Sequence, residues 1–342
     1  MNDSDTTSEE ESVAARDRKI AAAIIFAVAF PGAICNALVA MFARAIPTLN
    51  NAFGRLTASQ ATGETFLCAL FAFYYVPMVF LDIQFMKDSS GYVGIILLIC
   101  YDICIFSHLI ISINRMSAIY FPIKYYIHFS NRNTTIIIVI IWTLAILLPT
   151  LLRRGSICSF HYSDEIYTFV FSSNEECGWL RYFDFGQDVS IVTLIAIIDT
   201  TSIIKYRLTS IQMAKAIRLV TASKRKADMN LLKQTVAQGV VFAVELSTYF
   251  FFGWLFQNKW AVWSLTTLAW NVVHFSDAII IITLNKEFRR FLCTILPWNS
   301  CAQKSRKYNG RVYPTAGIAT IPRGSFPKQH QQSNSELFEH AH

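Results

Sequence analysis

Residues 92–113 read YVGIILLICYDICIFSHLIISI, a long run that is apolar except for a few scattered polar residues. A helix needs about 20 apolar residues to cross the hydrocarbon core of a bilayer, because in lipid each backbone N–H must find its partner within its own segment. The run is long enough for one crossing, and it ends directly before Asn114 and Arg115. The stretch therefore predicts a membrane-spanning helix.

Six further stretches resemble this one in length and polarity. The whole chain is 54% hydrophobic and 15% charged, whereas a soluble domain has about a quarter of its residues charged. We therefore expect an all-α membrane protein, a seven-transmembrane helix bundle, in which the fifth span is interrupted by three aspartates (184, 188 and 199). The seven predicted spans are 20–46, 56–80, 92–113, 134–152, 183–204, 231–256 and 261–284.

The lysines and arginines beside the helix ends indicate the orientation, because positive residues concentrate on the cytosolic side. Of the 30 lysines and arginines, eight fall on one side of the predicted membrane and all others on the opposite side. We expect the N-terminus outside the cell and the C-terminus in the cytosol. The net charge of +7 is then explained by the loops and does not indicate binding to nucleic acid. The eight are Arg16, Arg18, Lys19, Lys87, Arg153, Arg154, Arg181 and Lys259.

The two ends of the chain differ in composition from the helical part. Residues 1–19 are acidic and polar, which predicts an extracellular disordered N-terminus. Residues 297–342 are rich in Ser, Gln, Lys and Gly, which predicts a disordered cytosolic tail. The seven-transmembrane domain is therefore expected to cover residues 20–296.

Arg115 lies at the predicted cytosolic end of the third helix. A guanidinium in this position can run its stem along the bundle and place its head at the membrane face. Its rigid set of donors suits it to exchange one partner for another. An isolated arginine at a helix end is more often an ordinary membrane anchor, so the neighbouring residues decide between the two interpretations.

These neighbours follow the order Arg-x-x-x-Ile-x-x-Pro-x-x-Tyr, with Arg115, Ile119, Pro122 and Tyr125 in the named positions. The order resembles the end of the third helix in rhodopsin-like G-protein-coupled receptors. The wider context, residues 101–125 together with 51–61, is similar to the nematode serpentine chemoreceptors of class X (Srx). The resemblance covers residues 20–295, and it implies a rhodopsin-like bundle with a short amphipathic helix after the seventh span.

The resemblance also implies a surface for a heterotrimeric G protein at the cytosolic end. Asn114 replaces the acid that the family has before the arginine, so Arg115 is expected to be held less firmly. The basic loop 205–233 offers a second part of the surface, although plain solvated charge explains that loop equally well. The predicted coupling residues are Asn114, Arg115, Met116, Pro122, Ile123, Tyr125, Lys224, Arg225 and Lys226.

Acids inside membrane helices are costly and usually face the bundle interior. Tyr101 and Asp102 lie in the outer half of the third helix, and Glu245 lies near the middle of the sixth. We predict that these three form the ligand pocket, and structural hydrogen bonds between helices are the alternative. A second group is assigned to an interior polar network, with a cation site among its open roles: Asn36, Gln60, Glu64, Asp199 and Asp277.

Three cysteines carry predictions. Cys158 and Cys177 lie in the outer loop after the fourth span, on the oxidising side of the membrane, where disulfides persist. A bridge between them would form a lid over the bundle and would stabilise the loop by about 3 kcal/mol on the chain-entropy model; two free thiols, or one paired elsewhere, are the alternative. Cys293 follows the seventh span and is a candidate for palmitoylation, with an unmodified thiol equally open.

We therefore predict a G-protein-coupled chemosensory receptor for a small external molecule, located in the plasma membrane, with sensory cilia as one expected place. No phosphate-binding loop, nucleophile elbow or zinc signature is recognised, so no enzyme, metal or cofactor is expected. Two alternatives remain. A seven-helix ligand-gated channel would place its N-terminus in the cytosol, and a small-molecule transporter should show repeat symmetry.

Overall fold

The computed structural model describes residues 3–46, 49–153, 158–172, 177–216 and 222–295, and side-chain contacts for these except 3–10, 210–232, 254, 287 and 294–295. The described residues contain seven helices that are long and apolar enough to cross a membrane. Each overlaps one predicted span, so the seven-helix prediction is confirmed. The bundle helices are Asp3–Phe42, Ala52–Leu70 continued by Phe71–Tyr75 and Val76–Phe80, Ser90–Tyr120, Asn131–Leu152, Gly178–Ala216, Ala222–Ser247 continued by Thr248–Phe252 and Gly253–Leu255, and Lys259–Trp263 continued by Ser264–Leu268 and Ala269–Leu284.

Four shorter helices and one β-hairpin complete the described fold. The hairpin pairs β1, Phe160–Ser163, with β2, Thr168–Phe171, in antiparallel register, with Phe160 opposite Phe171. It lies at one end of the bundle, which we call the hairpin face, and Arg115 lies near the other end, which we call the Arg115 face. The shorter helices are Ala43–Ala45, Gln84–Asp88, Pro122–His128 and Lys286–Ile295.

The first helix begins at Asp3, whereas the sequence predicted disorder through residue 19. Two ion pairs form just before the predicted start of the span. The carboxylate of Asp17 lies 2.7 Å from Nζ of Lys259, and Arg18 lies 2.8 Å from Asp82. These contacts join the helix to the loop after the second membrane helix and to the start of the seventh, and a polar composition read alone does not reveal them. The domain boundary at residue 20 stays a prediction, and the tail 297–342 lies outside the described residues.

Apolar side chains cover the outside of the bundle, as a lipid environment requires. Along the fourth helix, Val139 is 58% exposed and Leu151 is 57% exposed, and Ile136, Ile140 and Leu147 are also exposed. In water, such a stripe would keep a large apolar area hydrated at a considerable free-energy cost. The arrangement therefore fits a helix that faces lipid on this side.

Three bundle helices contain a π-helical turn, in which an N–H donates to the carbonyl five residues back instead of four. In the second helix, the N–H of Val76 donates to Phe71, and Pro77, which has no N–H, follows directly. The sixth and seventh helices repeat the pattern between Gly253 and Thr248 and between Ala269 and Ser264. Such turns rotate the side chains that follow and are frequent at functional sites.

The predicted amphipathic helix after the seventh span is confirmed as Lys286–Ile295. Its N–H at Phe288 donates to Oδ1 of Asn285 at 3.1 Å, which caps the helix start. Phe288 is fully buried, and the ring of Phe291 lies 5.5 Å from that of Phe42 in the first helix. Arg289 and Arg290 are exposed on the opposite side, as expected for a helix at a membrane interface.

Candidate functional site

A cavity of about 610 Å³, part of it open solvent, lies among the third to seventh helices beneath the hairpin. Its walls are mostly aromatic and aliphatic, with a group of charged side chains between them. The lining residues are Leu98, Tyr101, Asp102, Leu148, Pro149, Leu152, Arg153, Phe160, Phe171, Asp184, Gln187, Asp188, Glu245, Tyr249, Phe250 and Trp270.

The three residues predicted for the ligand pocket, Tyr101, Asp102 and Glu245, all line this one cavity. All three are buried. Asp102 accepts a hydrogen bond of 3.2 Å from Nε2 of Gln187 in the fifth helix. The structure thus brings the predicted pocket residues of two helices together, and their role in binding stays a prediction.

Sequence reasoning missed three charged residues of the same cavity. Asp184 and Asp188 come from the fifth helix, and Arg153, at the end of the fourth, forms an ion pair with Asp184. The guanidinium of Arg153 also lies 5.7 Å from the ring centroid of Phe171 in the hairpin. Both aspartates interrupt an apolar span in the sequence. Because acids inside a membrane usually face the bundle interior, that interruption is the signal that could have assigned them to the site.

The hairpin covers part of the cavity with Phe160 and Phe171 and is fixed by a disulfide. The predicted bridge between Cys158 and Cys177 is present, with a Cα–Cα distance of 5.3 Å. Phe160 and Phe169 are almost fully buried in the bundle mouth. Gly94 of the third helix is packed so tightly against the carbonyl of Phe160 that a Cβ would have no room. The predicted lid is thus an ordered hairpin that enters the helix bundle.

Hydrogen bonds hold the turn of the hairpin against the second and seventh helices. The hydroxyl of Tyr75 donates to the carbonyl of Tyr167 at 2.6 Å, and Nε1 of Trp263 donates to the same hydroxyl at 3.2 Å. Oγ1 of Thr267 bonds to Oγ1 of Thr168 at 2.6 Å. Tyr75 and the two threonines are buried, so these polar groups depend on each other for partners.

An ion-pair cluster at the hairpin face joins the loop after the second helix to the hairpin. Nζ of Lys87 lies 2.5 Å from Asp82 and 2.6 Å from Asp164. The hydrogen bond from Lys87 lowers the pKa of Asp82 despite some desolvation, and Arg18 adds to this effect. Burial lowers the pKa of Lys87, but the bonds to Asp164 and Asp82 outweigh it, so that the pKa of Lys87 is raised.

Four of the five residues predicted for the interior network are joined by hydrogen bonds that involve the second and seventh helices. Nδ2 of Asn36 donates to the carbonyl of His274 at 2.9 Å, and Nε2 of Gln60 donates to Asp277 at 3.0 Å. Glu64 pairs with Nδ1 of His274. All of these side chains are buried. They fix the contact between the first, second and seventh helices in the middle of the bundle.

Glu64, His274 and Cys104 also form a group that could hold a metal ion, since one ligand atom from each lies within 4.8 Å of the others. The sequence had given no metal-ligand spacing, because the three residues come from three different helices. Nδ1 of His274 is already hydrogen-bonded to Glu64. The approach of these two residues is therefore also explained without a metal, as a structural pair.

Asp199, the fifth predicted network residue, has a different environment. It lies close enough to interact with Ser112 and with the guanidinium of Arg115, and it faces Gly239 of the sixth helix, where an added Cβ would be 3.8 Å from its Oδ2. Arg115 itself lies over the ring of Phe53, with 3.6 Å between the guanidinium carbon and the ring centroid. The structure thus groups Asp199 with the Arg115 face, apart from the bonded set around Glu64.

The predicted coupling residues lie at the Arg115 face as far as their side chains are described. Nδ2 of Asn114 donates to the hydroxyl of Tyr125 at 3.4 Å, which joins the third helix to Pro122–His128. Pro122 is exposed, Ile123 is 86% exposed and Met116 is half-buried. The side chains of residues 224–226 lie outside the described part of the chain. Cys293 is half-buried on the helix after the seventh span, and its lipidation stays a prediction.

The fold defines the class of protein. A crystal structure of squid rhodopsin matches with a TM-score of 0.70 at 15% sequence identity, covering 88% of this chain and 93% of the rhodopsin chain. At this identity the likeness concerns the fold. The protein is a seven-helix membrane protein of the rhodopsin-like fold.

The sequence comparisons define the family. The profile described as serpentine type 7TM GPCR chemoreceptor Srx matches residues 26–285. Serpentine receptor class X 45 of Caenorhabditis elegans is 31% identical over 299 residues, which are 80% of this chain and 81% of that protein. Serpentine receptor class X-43 of the same organism is 24% identical over 254 residues, 72% of this chain and 78% of that protein. The chain belongs to the Srx family of G-protein-coupled chemoreceptors, and membership of a receptor family agrees with the expectation that it is not an enzyme.

Proposed function

We propose that this receptor binds a small external molecule in the cavity beneath the hairpin and activates a heterotrimeric G protein at the Arg115 face. The observation that carries the proposal is the cavity itself. Side chains from five helices and the hairpin converge on it, and it contains Tyr101, Asp102 and Glu245. Its mixture of aromatic walls with a few charged groups is typical of small-molecule sites.

Binding is coupled to the opposite face if a ligand fits one arrangement of the helices better than another. The sixth helix is the natural carrier of this change, because Glu245 and Phe250 line the cavity and the helix contacts the third, fifth and seventh helices. The π-helical turn at Thr248–Phe252 lies next to the cavity and offers a place where the helix can adjust.

The proposed orientation puts the hairpin face outside the cell and the C-terminus in the cytosol, in the plasma membrane, with sensory cilia as one location. The asymmetric distribution of lysine and arginine supports this orientation. The bridge between Cys158 and Cys177 supports it too, because disulfides persist on the oxidising side. Epitope tags at both ends test it. Antibody access to the N-terminal tag alone in intact cells is expected, and the reverse pattern would favour the channel alternative.

Coupling is tested by nucleotide exchange on purified G protein with membranes that contain the receptor. Arg115→Ala is expected to abolish exchange at unchanged surface expression. Arg289→Ala removes an exposed arginine of the helix after the seventh span and serves as the matched control. A ligand-driven current through the Arg115→Ala receptor in cells without G protein would support the channel alternative and show that the coupling mechanism is wrong.

A further inference from the structure

The charged groups of the cavity do not balance. It holds four carboxyl groups and the single guanidinium of Arg153, and that guanidinium is already paired with Asp184. Asp102 and Asp188 interact electrostatically with the same guanidinium, and Glu245 has no lysine or arginine partner among the described residues. His274, which interacts electrostatically with Glu245, is bonded to Glu64. The cavity therefore has three carboxyl groups in excess.

Three polar atoms of the cavity lining lack a hydrogen-bond partner in the described structure. They are the acceptor Oε2 of Glu245 and the donors Nε1 of Trp270 and Nε of Arg153. All three residues line the cavity, and they are only 5%, 7% and 6% exposed. A buried polar group without a partner is costly, so native structures keep one where something else satisfies it. The atoms of Glu245 and Trp270 thus mark positions at which a bound molecule can supply a donor and an acceptor, and Nε of Arg153 can take a second acceptor.

The rest of the wall is aromatic. Rings attract organic cations through their negatively charged faces, most strongly where water is excluded. Asp188 and Glu245 come from neighbouring helices and interact electrostatically with each other, so one positive group between them would relieve their mutual repulsion. The six aromatic residues are Tyr101, Phe160, Phe171, Tyr249, Phe250 and Trp270.

We propose that the ligand of this cavity is a small organic cation, a protonated amine whose ammonium group binds between Glu245 and Asp188. Its apolar or aromatic body packs against the ring walls, and an acceptor atom on it takes the hydrogen bond from Nε1 of Trp270. This inference rests on the proposed function, because it names the ligand class of the same cavity. An anionic ligand would meet three excess carboxyl groups, and only Nε of Arg153, whose terminal nitrogen is paired with Asp184, could donate to it.

The test measures binding without any G protein. The full-length receptor in lipid nanodiscs is heated with one of four probes that share a phenyl-alkyl skeleton: 2-phenylethylammonium, its trimethylammonium form, neutral 3-phenylpropanol and anionic 3-phenylpropanoate. A ligand that binds only the folded state raises the unfolding temperature by an amount that grows with the ratio of its concentration to its dissociation constant. At least one ammonium probe is expected to raise it at millimolar concentration, while the neutral and anionic probes do not.

Two variants and one control locate the effect. Glu245→Gln and Asp188→Asn keep the shape of the side chain. Each is expected to lower the affinity for the ammonium probe by about tenfold or more, as for a lost hydrogen bond to a charged group. Both are also expected to raise the unfolding temperature of the receptor without probe, because a buried excess charge is removed. Asp88→Asn changes an exposed acid of the hairpin face, bonded to Gln84, and should leave the probe effect unchanged.

Three results would overturn the ligand class: equal or larger shifts with the neutral or anionic probe, no shift with either ammonium probe, or a full ammonium shift in Glu245→Gln. A fall in the unfolding temperature of the probe-free Glu245→Gln receptor would also count against it, since the carboxylate would then be a structural partner. Ammonium binding that never stimulates nucleotide exchange would instead refute the proposed coupling and leave the ligand class standing.

Discussion

The guanidinium carbon of Arg115 lies 3.6 Å from the centre of the Phe53 ring, so an aromatic side chain of the second helix covers the arginine of the third. In the rhodopsin-like pattern an acid precedes this arginine, but here the preceding residue is Asn114, whose amide bonds to Tyr125. Asp199 of the fifth helix interacts electrostatically with the guanidinium. The position of Arg115 therefore depends on contacts from neighbouring helices instead of on the adjacent residue.

Replacing Phe53 by leucine should raise basal nucleotide exchange. A cation–π contact is worth about 1 kcal/mol, and its loss shifts a two-state population by about fivefold. Phe53→Leu should therefore increase exchange without ligand by up to about fivefold. The control is Phe73→Leu, because Phe73 lies on the same membrane helix with 63% of its surface exposed. An unchanged basal rate in Phe53→Leu, or an equal rise in both variants, would show that the ring does not restrain Arg115.

Two glycines of the third helix provide a matched test of the hairpin. An added Cβ at Gly94 would collide with the carbonyl of Phe160, whereas at Gly91 it would lie 3.7 Å from Cβ of Ser159, an ordinary contact. Gly94→Ala should displace the hairpin and lower the free energy of unfolding by about 1–3 kcal/mol. Gly91→Ala should be neutral or slightly stabilising, because alanine favours a helix.

Thermal unfolding in nanodiscs measures both glycine variants. Hydrogen exchange at the amides of residues 160–171 would localise the effect, since only Gly94→Ala should accelerate it. If Gly94→Ala unfolds at the same temperature as Gly91→Ala, the hairpin does not pack into the bundle as described.

The sequence was sufficient for the parts of the fold that depend on local polarity. The apolar runs indicated the seven helices, and the position of Asp102 in the run before Arg115 placed it in the outer half of the third helix. The hairpin was out of reach, because Phe160–Ser163 is a very short strand whose conformation is imposed by β2 and by Gly94. The pairing of Arg153 with Asp184 joins two helices and could not be predicted from either stretch alone, and no residue pattern marked the π-helical turn at Thr248–Phe252.

The disulfide should contribute a measurable part of the stability. Closing the loop between Cys158 and Cys177 restricts the unfolded chain, which is worth about 3 kcal/mol on the chain-entropy model. Cys158→Ser together with Cys177→Ser should lower the unfolding temperature and remove the response of the receptor to reductant. Cys35→Ser alters a half-buried cysteine of the first helix that is not in a disulfide, and it should leave that response intact. A reductant effect that survives in the double variant would have another origin.

The ion-pair cluster around Lys87 should make the hairpin face sensitive to pH at both extremes. The pKa of Asp82 is lowered from its ordinary value of 3.8, so its stabilising effect is present above that value and is lost as the pH falls through the lowered pKa. The pKa of Lys87 is raised above its ordinary value of 10.5, so its contribution is complete below 10.5 and is lost as the pH rises through the raised pKa. Between these limits the cluster should stabilise the receptor evenly.

Lys87→Gln removes the centre of this cluster and should lower the unfolding temperature near neutral pH. The difference from the unchanged receptor should shrink toward strong acid, where Asp82 becomes protonated, and toward strong base, where Lys87 loses its charge. Lys19→Gln provides the control, because Lys19 is an exposed lysine of the first helix without an ion pair in the described structure, so its effect should be small at every pH. A pH-independent loss of stability in Lys87→Gln would mean that packing of the lysine stem, which is largely covered, matters more than its charge.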